Sequence, residues 1–186
     1  LAQQVGAFAL APGSADSALA LELDPGLYTL HASATGNASG VALAELYALD
    51  NQSSPIALSS RARVRSGENI LIGGVVVSGD APQRLLFRAV GPALAAQGVT
   101  QPLADPVLEV VRNGTALHTN DDWETGNDTA ALTAAFAATG TVPFAAGSKD
   151  AALLVTLDPG AYTVLVRGKD SAEGVALVEI YAVPTQ

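Results

Sequence analysis

The sequence predicts an all-β fold, an antiparallel β-sandwich of jelly-roll-like type with one short helix near 128–138, and three observations carry that expectation. Short runs rich in Val, Leu and Ala are separated by turn signals at Asp24-Pro25-Gly26, Ser78-Gly79-Asp80, Asn113-Gly114 and Asp158-Pro159-Gly160. Leu23 to Leu49 recurs as Leu157 to Val183 at a constant offset of 134 residues, with 14 of 27 positions identical. The last run of each copy is apolar on both faces except for one acid, Glu45 or Glu179, as a central strand covered on both sides requires.

Taken in order, the predicted strands are 17–23, 26–35 and 40–49 in the first copy. They continue with 61–66, 69–78, 83–90, 106–112, 115–119, 150–157, 161–168 and 175–183. Asp128 is a suitable N-cap for an alanine-rich helix, which Gly140 stops. An offset of 134 residues exceeds solenoid repeats and matches tandem sandwich units. Residues 57–143 have no counterpart before Leu1, so 1–52 reads as the second half of one unit, 53–60 as a linker and 61–186 as a complete unit. The chain starts at Leu1 without a basic-then-apolar leader, which points to a processed product or a segment of something longer.

Composition narrows function by exclusion. Eighteen acidic against nine basic residues give a formal charge of −9, which disfavours nucleic acid and anionic bilayer surfaces as partners. The longest compact apolar run, Ile70 to Val77, falls short of the roughly 18–20 residues of a membrane span. Without cysteine there is neither a disulfide framework nor thiolate chemistry. No nucleophile elbow, phosphate loop or zinc-protease helix is present, and His31 and His118 lack metal-triad spacing, so the expectation is a non-enzymatic protein.

Several residues are candidates for binding or structure. The loop Asn120 to Asp128 clusters Asp121, Asp122, Glu124 and Asp128 around Trp123. Carboxylates at Asp121, Asp122 and Asp128 suit Ca²⁺, the one cofactor the sequence suggests, and an exposed Trp123 would stack on a sugar. The bland alternative is a solvated loop with Asp128 as a helix cap. Asp24, Gly26 and Tyr28, matched by Asp158, Gly160 and Tyr162, resemble tyrosine corners, in which the phenol returns to upstream backbone and pins a crossover. Arg61, Arg63 and Arg65 alternate on one strand face, as a grip for acidic partners or as a charged edge. Glu45 and Glu179, inside apolar strands, each need an arginine or a turn amide. Asn37, Asn51, Asn113 and Asn127 begin glycosylation sequons, or simply make turns.

Pro106 to Trp123 followed by Val155 to Arg167 resembles the bacterial pre-peptidase C-terminal domains and related tandem modules of large secreted or surface proteins. The resemblance implies a jelly-roll sandwich attached to secreted enzymes or surface proteins, some of which bind calcium, collagen or polysaccharide. The functional expectation is an extracellular structural or adhesive module that assembles with copies of itself or adjacent repeat units by strand complementation. The alternatives are a carbohydrate-binding accessory module centred on Trp123, and a single pseudo-symmetric sandwich with no assembly role.

Overall fold

The computed structural model describes residues 5–49 and 55–184. The chain divides into two units, Leu1–Pro55 and Ile56–Gln186. Among the described residues the second contains eight strands and one α-helix: β1 (Ala57–Val64), β2 (Leu71–Val77), β3 (Gln83–Val90), β4 (Pro106–Arg112), β5 (Thr115–Asn120), α1 (Thr129–Thr139), β6 (Ala151–Leu157), β7 (Gly160–Gly168) and β8 (Gly174–Ala182), with short 3-10 turns at Pro92–Gln97 and Lys169–Ser171. They form two antiparallel sheets, ordered β1-β8-β3-β6 and β2-β7-β4-β5. The pairing is nested: the Asn113-Gly114 hairpin joins β4 to β5, and working outward β3 pairs with β6, β2 with β7 and β1 with β8. This is the rolled-up hairpin of a jelly roll. Asn113 and Gly114 both have positive φ, 51° and 77°, as a two-residue turn matching strand twist requires.

Side-chain alternation fills the space between the sheets. Leu85, Phe87 and Ala89 of β3 and Ala176, Val178 and Ile180 of β8 face Leu108 and Val110 of β4 and Val164 and Val166 of β7. The opposite face of the first sheet is also covered. Leu86 and Val90 of β3 and Ala152 of β6 pack with Leu132 and Phe136 of α1, together with Trp123, Phe144 and Leu94. The two-layer expectation therefore becomes a third layer on one side, which explains why β3 and β8 are apolar on both faces. Asp128 caps α1 by accepting a 3.0 Å hydrogen bond from Ala131 N, and Gly140 ends it in the left-handed region at φ 70°.

The expected linker 53–60 runs into β1, whose residues from Ala57 onward pair with β8 beginning at Ala57–Tyr181. The polar pair Ser59-Ser60 imitates a linker because β1 is an edge strand exposed along most of its length. Arg61 and Arg63 charge that edge, and Arg63 Nη1 donates to Gln101 Oε1 at 2.8 Å. Arg65 lies past the strand end, where its amide donates to Asn69 O.

A positive charge is buried under the third layer. Arg88, 3 % exposed, sits opposite Glu179 in the β3–β8 register. Its Nε lies 3.3 Å from Glu179 Oε2, outside hydrogen-bond geometry, and its guanidinium lies 4.9 Å from the Phe136 ring centroid and 4.2 Å from that of Phe144. The Tyr181 hydroxyl donates to Glu179 Oε1 at 2.7 Å. Burial lowers the Arg88 pKa, while Glu179 and then Tyr181 oppose that shift.

In the first unit the predicted strands 17–23, 26–35 and 40–49 are not formed: no residue between 5 and 49 is in a strand. What survives is a set of local bonds that a short segment makes by itself. Tyr28 donates to Asp24 O at 2.8 Å, as Tyr162 does to Asp158 O at 2.8 Å. Ser14 N donates to Ala11 O as Ser148 N does to Ala145 O, both at 3.0 Å. Ala38 N donates to Thr35 O as Ala172 N does to Lys169 O. Ladders are missing because the corresponding strands of the second unit never pair with one another: β6 uses β3, β7 uses β2 and β4, and β8 uses β1 and β3.

Two outcomes follow for the buried charge. Glu179→Ala strands a buried guanidinium and is expected to cost about 3–5 kcal/mol, whereas Arg88→Leu combined with Glu179→Leu costs far less; urea unfolding read by the single tryptophan, Trp123, compares them. Burial first, and then the bond to Glu179, raise the Tyr181 pKa, so the native state holds this proton more tightly than the unfolded chain. Its stabilisation is complete below about pH 10 and is lost as pH rises toward the folded value. Tyr181→Phe should flatten that alkaline decline in a melting-temperature profile.

Candidate functional site

The acidic loop is organised by asparagines. Asn120, buried at the end of β5, donates from Nδ2 to Asp122 O at 2.9 Å and Thr125 O at 3.0 Å, and its Oδ1 accepts from Ala152 N of β6 at 3.0 Å. Asn127 Nδ2 donates to Trp123 O at 2.9 Å and to Ala152 O at 3.2 Å. The loop is thereby sewn to the start of β6, and Trp123 N adds a bond to Asp150 O at 2.9 Å.

This stitching points Trp123 inward, in contrast to the expected sugar platform. The indole is 7 % exposed, its Nε1 donates to Ala145 O at 3.2 Å, and its ring packs on Phe136 and Phe144 at centroid distances of 6.0 and 6.3 Å. No indole face is left open to a glycan. An apolar helix nearby in sequence was the available signal, since Leu132 and Phe136 require an aromatic lid.

The carboxylates are brought close along the chain but turned to separate partners. Asp121 Oδ2 accepts from Lys169 Nζ at 2.7 Å, and Asp122 Oδ2 from Lys149 Nζ at 2.8 Å. Glu124 Oε2 accepts from Gly147 N at 2.8 Å, and Asp128 is the helix cap. The Lys169 hydrogen bond holds the Asp121 carboxyl below its ordinary pKa, whereas desolvation raises Asp105, which lies 3.9 Å from the same ammonium. Among the described residues no group of three or more His, Cys, Asp or Glu is placed to hold a metal ion.

The sequons differ. Asn37 is exposed, Asn113 is exposed in the β4–β5 turn, and the Nδ2 of Asn127 is engaged in the core stitching; Asn51 lies outside the described residues. Tyr162 and Asp158 close the passage from β6 in one sheet to β7 in the other. Arg112 braces that turn, with Nη1 donating to the Tyr162 hydroxyl at 3.2 Å and Nη2 to Pro159 O at 3.1 Å. Gly160, at φ 153°, accepts this approach because a Cβ there would lie 2.6 Å from Arg112 Nη2.

Among the described residues, two stretches with exposed large apolar side chains stand out. One is the segment 5–49, where Leu19, Leu27, Leu30, Val41 and Leu43 are more than half exposed. The other is the edge strand β2, which runs without a charge from Ile70 to Val77 and exposes Ile72 and Val76. Comparison with protein-family models, curated proteins and solved structures finds no match. The surfaces themselves are therefore the source of a functional reading.

Sequence reasoning missed Arg88 and Asp150. Arg88 was signalled by a charge inside Leu85-Leu86-Phe87-Arg88-Ala89-Val90, and Asp150 by its recurrence at Asp16. Trp123→Ala is expected to lose about 3–5 kcal/mol, as for a large core aromatic, seen as a lowered urea midpoint in far-UV circular dichroism.

Proposed function

We propose that this chain is a non-enzymatic extracellular structural or adhesive module that joins neighbouring units of its own kind by strand complementation, building a surface structure or fibre. The observation that carries the reading is the first unit: strand-type sequence with formed turns, no ladder, and a row of exposed leucines and valines. Each large aliphatic side chain left in water forgoes about 1.5–3 kcal/mol of burial. A strand-type segment outside any ladder, with its large apolar side chains exposed, is the kind of donor that β-strand addition uses.

The recurrence of residues 23–49 as 157–183, and the resemblance to tandem modules of secreted and surface proteins, support the extracellular, repetitive setting. Sedimentation velocity over a concentration series tests the reading. The full chain should form oligomers that grow with concentration, while the chain starting at Pro55, which retains both buried clusters, should sediment as a monomer. A full chain that stays monomeric throughout sinks the proposal.

A further inference from the structure

Residues 11–49 keep more of residues 145–183 than local turns explain. Asp150, fully buried, accepts from Gly91 N at 2.7 Å, from Ala93 N at 3.3 Å and from the Ser148 hydroxyl. Its counterpart Asp16 is exposed. A Cβ on Gly174 would lie 2.6 Å from the Leu103 backbone, whereas one on its counterpart Gly40 would meet nothing within 4 Å. Glu179 pairs with buried Arg88, while Glu45 is exposed and accepts from the Tyr47 hydroxyl at 3.0 Å. Three positions thus carry side chains, or the lack of one, that in the second unit meet β3 and the Gly91–Leu103 segment.

The apolar pattern agrees. Leu19, Leu23, Tyr28, Leu30, Ala42 and Leu46 stand where Leu153, Leu157, Tyr162, Val164, Ala176 and Ile180 face the core between the sheets. Ala32 and Ala44 are smaller than Val166 and Val178, and Leu30 is larger than Val164, which partly conserves volume.

We infer that residues 11–49 are a second closing half: they seat on the β1–β5 half of a unit of this same kind, in the place that residues 145–183 occupy on residues 56–144. The inference rests on the assembly reading and names its partner surface: residues 145–183 hold that seat in each copy, so residues 11–49 of a neighbour take it by displacing them, and chains are joined by that exchange. Reach also permits the exchange inside one chain. Ala182 N donates to Ile56 O at 3.0 Å, so a Leu49 seated in the place of Val183 would end beside Ile56, with only residues 50–55 between them in sequence.

Ala176→Asp with Val178→Asp in the full chain disables β8 at positions 0 % and 2 % exposed. Hydrogen exchange read by mass spectrometry should then show protection lost from 145–183 and gained in 11–49, with Trp123 emission still that of a buried indole. Adding Ala42→Asp and Ala44→Asp should abolish both signals. Protection that stays in 145–183, or that is absent from both segments, overturns the inference. Self-association that needs residues 1–54 while protection fails to move would overturn this seat and leave the assembly reading standing. Exchange in a strictly monomeric chain would support the seat and sink assembly.

Discussion

The constraint on which the fold depends is that β6, β7 and β8 share no ladder with one another. Each is paired only with strands from β1 to β4, so the second half of the unit acquires sheet structure solely through the first. The same sequence type therefore has two states. Beside β1–β4 it is buried strand; in residues 5–49 it is exposed chain with formed turns. Local hydrogen bonds, such as those of Tyr28 and Tyr162, are indifferent to the partner, because both ends lie four residues apart. Ladder bonds are not, and an unpaired backbone gains more from water than from an empty edge.

Polar groups in the interior specify which partner is right. Arg88 and Glu179 meet across one register, and Asp150 fits the amides of a particular loop. Such groups contribute modestly to net stability but make mispairing costly, because any slip buries a charge without its complement. A one-residue shift of β8 on β3 would also turn Ala176, Val178 and Ile180 away from the core between the sheets.

Much of this was legible in the sequence, for physical reasons. Period-two apolar patterning and asparagine, proline and glycine turns located every strand of the second unit, and Asp128 and Gly140 bounded the helix as read. The start of β1 was hidden because an exposed edge needs no apolar alternation, so Ser59 and Ser60 resembled a linker. The strands of the first copy were misplaced because propensity describes what a segment forms once paired and says nothing of whether a partner is there. Trp123 and its acids misled for a related reason. Clustering along the chain does not decide which way side chains turn, and here Lys149, Lys169 and two backbone amides divide them.

The nesting of first strand against last also sets a clock. β1 is synthesised long before β8, and at roughly 5–20 residues per second the intervening chain takes on the order of ten seconds to emerge. Throughout that interval β1 lacks its final neighbour, and closing so long a loop is entropically slow. Residues 40–48 are already made when β1 appears, separated from it by eight residues. The order of synthesis thus presents β1 first with the copy and only later with the strand it finally holds.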